Sequence, residues 1–285
     1  MNSVENKLFS GRKLVIATKH DKEKVIAPLF EDAFGVLCFI PENFDTDLLG
    51  TFTGEVERKD DPVTTLRNKC LNAMEIASCD LGIASEGSFG SHPSIFFVPS
   101  GDELLIFIDK ENNLEIIARE LSTNTNFNGA EIKTEKQLHE FAANANFPSH
   151  SLILRKAKKD FTEIVKGITN WQTLTQTFKQ FIEKFGVVYA ETDMRALYNP
   201  TRMKVIEIAA RKLVEKIKLQ CPQCNTPGFG ITDARIGLPC GLCGFPTRSV
   251  ISFVYECKKC GFIKEEILPD NKTVEDPMYC DICNP

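Results

Sequence analysis

The order of apolar and polar residues predicts strands alternating with helices. Short apolar runs rich in β-branched residues indicate strands, and apolar residues three and four positions apart indicate helices. Strands are predicted at 12–18, 36–41, 80–85, 93–99, 103–109, 114–120, 150–156 and 187–191, and helices at 21–35, 60–78, 134–145, 170–186 and 199–218. Because the two types alternate at both ends of this region, with an antiparallel meander between, the pattern predicts an α/β fold: a mixed sheet flanked by helices.

Capping residues mark several of the predicted helix ends. Asp21, either Asp60 or Asp61, and Asn199 precede apolar-periodic segments and are expected to be N-caps. Gly186 follows the helix predicted at 170–186, where a left-handed residue commonly ends a helix. After residue 218 the periodicity stops and a cysteine-rich segment begins. We therefore predict an α/β domain over 1–218 and a small zinc-ribbon-like domain over 219–285.

Composition is that of a water-soluble globular protein. Hydrophobic residues make up 42% of the 285 residues, and we find no apolar run of the roughly 18 residues that a membrane helix needs. The N-terminal sequence lacks the apolar core and small-residue cleavage site of a signal peptide. We expect a cytoplasmic protein with no membrane partner.

Charge is unevenly distributed along the chain. The net charge is -5; residues 1–150 are acidic, residues 151–220 are basic and residues 221–285 are slightly acidic. The basic segment faces either an anionic ligand or, in the plainer interpretation, the acidic first half. The stripe of basic residues typical of nucleic-acid binding is missing, so a nucleic-acid partner is not expected.

Eight of the eleven cysteines form four C-x-x-C pairs near the C-terminus. This is metal-ligand spacing, and eight thiolates are enough for two tetrahedral structural zinc sites. The predicted ligands are Cys221, Cys224, Cys240, Cys243, Cys257, Cys260, Cys280 and Cys283. The other three cysteines, Cys38, Cys70 and Cys79, lie in apolar surroundings and are expected to be buried free thiols.

The pairing of the four C-x-x-C turns has two solutions. Sequential pairing joins the first turn with the second and the third with the fourth; interleaved pairing joins the first with the third and the second with the fourth. We favour the sequential arrangement, because "YECKKCG...YCDIC" is similar to a self-contained zinc ribbon. Four thiolates also accept iron, although zinc is the usual occupant. The zincs either serve only to fold the segment or also present it to a protein partner.

Two segments after predicted strands are candidate ligand sites, since ligands of α/β folds bind beyond the carboxyl ends of strands. The first contains Thr18, Lys19, His20 and Lys22, whose cations and free helix amides suit an anion such as phosphate. Taken alone, the segment is better explained as a solvated loop before a helix, with lysines at the surface. The second contains Glu86, flanked by glycines, which suits Mg²⁺ or a general base but also an ordinary capped turn.

The stretch "VVYAETDMRALYNPTRM", residues 187–203, is the third candidate. Glu191, Asp193, Arg195 and Arg202 lie where a predicted strand ends and a helix begins. Arginines there can bind phosphate or carboxylate in a fork, or bind the two neighbouring acids. The segment is therefore either a ligand site or a hydrogen-bonded turn.

Residues 1–90 resemble the inosine/xanthosine triphosphate pyrophosphatase superfamily in "ATKHDKEKV" and "TLRNKCLNAMEIASCDLGIASEGSF". The resemblance implies that Thr18 and Lys22 or Lys24 contact phosphate, that Arg67 and Asn68 face the cleft from a helix, and that Glu86 supports Mg²⁺. His20 stands where that superfamily has Asn, and its terminal Ser-His-Arg signature is not found.

Nearly the whole chain is similar to an uncharacterised bacterial family in "EGSFG", "ARELSTNTNF", "ETDMRA..NPTRM" and the paired C-terminal cysteines. This resemblance implies an α/β domain with a zinc-binding tail and no known activity.

Two functions are compatible with these residues. One is metal-assisted hydrolysis of a nucleotide-like phosphorylated small molecule. In it, Glu86 and Asp193 would hold Mg²⁺ or activate water, with Glu191 nearby, and Lys19, Lys22, Arg195 and Arg202 would bind phosphates. The alternative is a non-catalytic adapter whose zinc tail docks a protein. The hydrolase requires Glu86, Asp193 and Arg195 in one cleft, whereas the adapter allows them to be separate ion pairs.

Overall fold

The computed structural model describes residues 8–41, 61–269 and 271–285. The chain divides into an N-terminal unit, Met1–Val214, and a C-terminal unit, Glu215–Pro285. None of the helices in the described ranges combines the length and the apolar character needed to cross a membrane.

The N-terminal unit contains the predicted mixed sheet. Its strands are β1 (Lys13–Ala17), β2 (Leu37–Phe39), β3 (Leu81–Ser91), β4 (Pro99–Asp109) and β5 (Leu114–Ser122). The order is β2-β1-β3-β4-β5; β1 is parallel to both β2 and β3, and β3, β4 and β5 are antiparallel. The α/β class with a mixed sheet is therefore confirmed.

Two helices contribute to the core of this sheet, α1 (Glu23–Phe34) and α2 (Pro62–Ile76). Leu66, Cys70 and Met74 of α2 are buried with residues of β1, β3 and β4. Gly82 of β3 lets α2 approach closely, because a Cβ there would lie 2.6 Å from Cγ of Met74. The helical stripe predicted from the sequence is thus the apolar contact that holds α2 on the sheet.

A second sheet, not predicted from the sequence, completes the N-terminal unit. It is antiparallel, with order β6-β9-β7-β8, and consists of β6 (Gly129–Ile132), β7 (Leu152–Ala157), β8 (Asp160–Ile168) and β9 (Val188–Thr192). Helices α3 (Glu135–Asn144) and α4 (Trp171–Phe185) supply Leu138, Phe178 and other buried residues to its core. The sequence did not predict strands β6 and β8, because few of their residues are both apolar and fully buried.

Most predicted caps are observed, and one is wrong. Asp61 accepts hydrogen bonds from the backbone amides at the start of α2, and Asn199 accepts one from Arg202 N at the start of α5 (Pro200–Lys218). Gly186 ends α4 with φ of 73°. Asp21 is not a cap: its φ is 63°, its side chain pairs with Lys24, and α1 begins two residues later.

The strand predicted at 93–99 is also wrong. Residues 92–98 form the connection between β3 and β4, and Phe97 is 90% exposed. The apolar run "SIFFV" therefore lies at a hairpin tip, where apolar composition is not accompanied by burial.

The C-terminal unit contains an antiparallel three-stranded sheet of order β10-β11-β12. The strands are β10 (Ile231–Ile236), β11 (Val250–Glu256) and β12 (Ile263–Ile267). Each strand connects one C-x-x-C turn to the next along the sequence.

Candidate functional site

The eight C-terminal cysteines form two groups of four in the described part of the chain. Within each group, the four sulfur atoms all lie within 4.8 Å of one another. The first group is Cys221, Cys224, Cys257 and Cys260, and the second is Cys240, Cys243, Cys280 and Cys283. Both groups could hold a metal ion.

The spacing of the sulfur atoms fits a tetrahedral metal site. The Cys221–Cys260 and Cys224–Cys257 sulfur pairs are 3.7 Å and 3.6 Å apart. The corresponding distances in the second group, Cys240–Cys283 and Cys243–Cys280, are 3.8 Å and 3.7 Å. A tetrahedron with metal–sulfur bonds of about 2.3 Å has edges of about 3.8 Å. The donor set and its dimensions therefore suit a four-coordinate zinc-type ion, whereas a disulfide would need sulfurs about 2 Å apart.

A residue with positive φ follows each of the first three C-x-x-C turns. Gly244 and Gly261 follow the second and third turns with φ of 73° and 70°, and donate from N to Cys240 O and Cys257 O over 2.9 Å and 2.8 Å. Asn225 takes the same role after the first turn with φ of 57°.

The pairing is interleaved, so the sequential pairing that we favoured is wrong. The reason is the antiparallel sheet. Because β10 pairs antiparallel with β11, and β11 with β12, the chain reverses direction between successive turns. Strands of five to seven residues are roughly 20 Å long, so consecutive turns lie at opposite ends of the sheet. The first and third turns meet at one end, and the second and fourth meet at the other.

The two metal groups differ in the residues around them. The turns of the first group carry "PQ" and "KK" between their cysteines, so three of these four residues are polar or charged. The turns of the second group carry Leu242 and Ile282, which are 74% and 60% exposed. Phe245, Met278 and Tyr279, adjacent in sequence to the same two turns, are also exposed. These five residues, in or near the two turns, define an apolar patch beside the second group; Leu219 and Ile263, near the turns of the first group, are also exposed.

In the N-terminal unit, β3 carries a buried charged cluster that includes three predicted site residues. Lys22 donates to Ser85 Oγ over 3.0 Å, and Lys69 donates to Ser85 O over 3.0 Å. Lys69 Nζ also lies 3.5 Å from Glu86 Oε2. Arg202 is part of the same cluster, because it and Lys69 both interact electrostatically with Lys22.

Burial has a large effect on the protonation of Lys22. The pKa of its ammonium group falls to about 7, first because burial disfavours the charged form and then because Arg202 and Lys69 repel it. Glu103 and Glu86 oppose the shift only partly. Near neutral pH, Lys22 is therefore poised between its charged and neutral forms.

The two acids of the 187–203 stretch, Glu191 and Asp193, each form a hydrogen bond with an arginine side chain. Asp193 is fully buried; its carboxylate accepts from Arg195 Nη2 over 2.6 Å and from Gly167 N over 3.1 Å. Glu191 accepts from Arg155 Nη2 over 2.7 Å. The hydrogen bonds expected for the turn interpretation are therefore present in this stretch. Among the described residues, Glu86, Glu191 and Asp193 do not form a three-ligand metal group.

Four other predicted ligand residues lie after β1 or on α2. Thr18 is buried, and its Oγ1 donates to Lys19 O over 2.9 Å; His20 has a left-handed backbone with φ of 70°. Arg67 pairs with Glu115 of β5, and Asn68 is exposed. The next residue of α2, Lys69, is the one whose side chain reaches Glu86.

Four residues of these clusters were not identified from the sequence: Lys69, Ser85, Glu103 and Arg155. Each lies in a strand rich in apolar residues or in a helix with an apolar stripe, where the pattern directed attention to the apolar residues. For Lys69, Glu103 and Arg155, the available signal was a charge at an inward-facing position, since charges are rarely buried unless paired.

The three remaining thiols stay unpaired cysteines, as predicted. Cys70 is buried, whereas Cys38 and Cys79 are half-buried. Burial raises the pKa of all three, to about 12 for Cys38. None therefore has the lowered pKa of a reactive cysteine.

Comparison with known proteins identifies one family. A family model described as a domain of unknown function (DUF6671) matches residues 69–285, from the middle of α2 to the last residue. No curated protein matches the chain.

Proposed function

We propose that this chain, which belongs to the DUF6671 family, is a non-catalytic zinc-binding protein whose C-terminal unit docks a protein partner. The observation that carries the proposal is the pair of four-thiol groups with sulfur spacings of 3.6–3.8 Å. Zinc is the usual occupant of such a donor set, although iron shares the geometry. Metal analysis of the purified chain tests it: we expect two equivalents of zinc, and iron in both sites would contradict the assignment.

The proposed zinc ions are structural because each site is closed. Four protein thiolates complete a tetrahedral shell and leave no position for water or substrate. The ions would fold the C-terminal unit, whose apolar core in the described residues includes Phe229 and two of the cysteines themselves. Free thiols at these positions require a reducing compartment, which favours the cytoplasm.

The proposed docking surface is the apolar patch around the second metal group. Exposed apolar residues concentrated at one end of a small module are typical of protein-binding surfaces. The acidic balance of residues 221–285 argues against nucleic acid. The partner is therefore expected to be a protein that presents an apolar surface.

The docking proposal is tested by comparing two matched pairs of substitutions. Leu242→Ser with Ile282→Ser removes apolar groups from the second metal group, and Gln223→Ser with Lys258→Ser alters the equivalent polar turns of the first. We expect a co-purifying protein to be lost with the first pair only, and the purified partner to bind the native chain in a two-component titration. Equal recovery with both pairs would contradict the proposal.

Hydrolysis of a nucleotide-like phosphorylated molecule is the second candidate. It is favoured by the concentration of Lys22, Lys69 and Arg202 around β3, since clustered cations bind phosphate. In this proposal, Mg²⁺ is held by Glu86. Release of phosphate and pyrophosphate from a panel of nucleoside triphosphates should depend on Mg²⁺ and be lost in Glu86→Gln. Absence of turnover by the native chain would eliminate it.

A further inference from the structure

A cleft of about 950 Å³ lies in the N-terminal unit. Its walls come from three parts of this unit: the tip of the β3–β4 hairpin, residues 125–129, and the face of the second sheet that carries Arg155. The volume is within the range of small-molecule sites, roughly 300–1,000 Å³. It does not coincide with the site predicted around Glu86.

Arg155 of β7 lines this cleft and is only 6% exposed. Its Nη2 is bound to Glu191, but its Nε and Nη1 have no hydrogen-bond partner among the residues that the structure describes. Buried guanidinium donors without an acceptor are costly and therefore rare in folded proteins. An acceptor supplied by a ligand in the cleft would remove this cost.

Two aromatic rings hold the Arg155 guanidinium in place. Its Cζ lies 5.1 Å from the ring centre of Phe161 and 5.3 Å from that of Tyr189. Both rings also line the cleft. Cation–π contacts on this scale restrict the orientation of a guanidinium, so the unsatisfied donors are fixed before any ligand arrives.

The charge of the cleft favours an anion. Lys158 and Lys159, at the turn between β7 and β8, add two cations to Arg155. Glu191 is the acidic residue among the residues described as lining the cleft, and Arg155 already pairs with it. The cleft therefore has an excess of positive charge.

The walls also offer aromatic surface. Phe97 and Phe127 line the cleft in addition to Phe161 and Tyr189. Aromatic side chains stack on planar rings, and this interaction tolerates different ring systems. A ligand that combines a planar ring with a phosphate would use both features of the cleft.

We propose that this cleft binds a nucleotide-sized aromatic anion, with its phosphate on Arg155, Lys158 and Lys159 and its ring among the aromatic walls. This site is separate from the zinc-folded unit and from the Glu86 cluster. Its existence does not depend on either proposed function.

Fluorescence titration of the zinc-loaded full chain tests the proposal. The probes are ATP carrying an N-methylanthraniloyl group and flavin mononucleotide. Unlabelled ATP, adenosine and tripolyphosphate are then used as competitors, so that the contributions of the ring and of the phosphates to binding are measured separately. We expect ATP to displace the probe better than either adenosine or tripolyphosphate, because only ATP has both ring and phosphates.

Two variants locate the binding. Arg155→Met removes the buried cation, and Lys158→Ser with Lys159→Ser removes exposed cations without disturbing the core. Each should weaken probe binding by about tenfold or more, the loss expected for a charge-assisted contact. The exposed Arg119, as Arg119→Met, and the exposed pair Lys133→Ser with Lys136→Ser are charge-removing controls outside the cleft and should change affinity less than twofold.

Three results would overturn the proposal. The first is no binding of either probe to the native chain at millimolar concentration. The second is equal affinity in the native chain and in the Lys158→Ser, Lys159→Ser variant. The third is equal weakening of probe binding in the Lys133→Ser, Lys136→Ser control pair. That result would show that binding depends only on the net charge of the protein.

Discussion

Arg202 of α5 donates from Nε to Glu103 Oε1 of β4 over 2.6 Å, and the two side chains are 3% and 1% exposed. Arg202 also donates from Nη1 to the backbone oxygen of Met194. One buried guanidinium thus connects the mixed sheet to the turn that follows β9. Buried pairs of this kind are costly to break, because the remaining partner is left charged and without its counterion.

Substituting either partner should destabilise the N-terminal unit. For Arg202→Met we expect a loss of about 3–5 kcal/mol in the free energy of unfolding, because Glu103 is left buried and unpaired. Replacing both residues, as Glu103→Leu with Arg202→Met, should cost less than the sum of the single changes. Thermal melts of the zinc-loaded chain measure this, and an unchanged melting temperature for both single variants would contradict it.

Gly87 of β3 provides the space for this ion pair. A Cβ at Gly87 would clash with the Arg202 guanidinium and lie 2.6 Å from Glu103 Oε1. A Cβ at Gly90, three residues along the same strand, would meet nothing within 4 Å. Gly87→Ala should therefore lower the melting temperature clearly, whereas Gly90→Ala should leave it nearly unchanged. Similar melting temperatures for the two variants would show that the pair adapts to the added methyl group.

Lys22 should make stability depend on pH. Its folded-state pKa of about 7 lies below the ordinary 10.5, so folding disfavours its ammonium form. The native chain is thus expected to lose stability as pH falls from about 10.5 to about 7, with no further loss from this residue at lower pH. Lys22→Met removes this term, so the melting temperature of the variant relative to the native chain should rise as pH falls through that window.

Lys24→Met is the matched control for this pH series. Lys24 is exposed, and its partner Asp21 is two-fifths or more exposed. Its removal should shift the melting temperature by a small amount that stays constant with pH below its ordinary pKa of 10.5, because Asp21 raises the pKa of Lys24. A pH-independent difference between Lys22→Met and the native chain would mean that Lys22 keeps an ordinary pKa.

Local sequence signals predicted much of the first sheet and its helices. The Asp61 cap, the apolar stripe of α2 and the left-handed Gly186 each depend on a few neighbouring residues, and all are observed. The wrong strand prediction at 93–99, in contrast, concerns a property that neighbouring residues do not determine. Apolar residues predict burial, but whether Phe97 is covered depends on parts of the chain distant in sequence.

The candidate sites were predictable only where spacing alone fixes the chemistry. Four C-x-x-C turns identify eight ligands, but their pairing depends on the strands between them, which the sequence reading missed. The partners of the charged residues could not be predicted from spacing either. Glu86 and Arg202 were identified as candidates, but their partners Lys69 and Glu103 are set by tertiary packing. Arg155 is identified by its unsatisfied donors, which are a property of the folded chain and not of the local sequence.

The central claim, two zinc ions in interleaved sites, is most directly tested by zinc content in two reciprocal double variants. Cys224→Ser with Cys260→Ser changes one interleaved site and leaves the other intact, whereas Cys224→Ser with Cys243→Ser changes both. Interleaved pairing predicts one tightly bound zinc in the first variant and no intact site in the second. Sequential pairing predicts the reverse, and that result, or the absence of zinc from the native chain, would contradict this account.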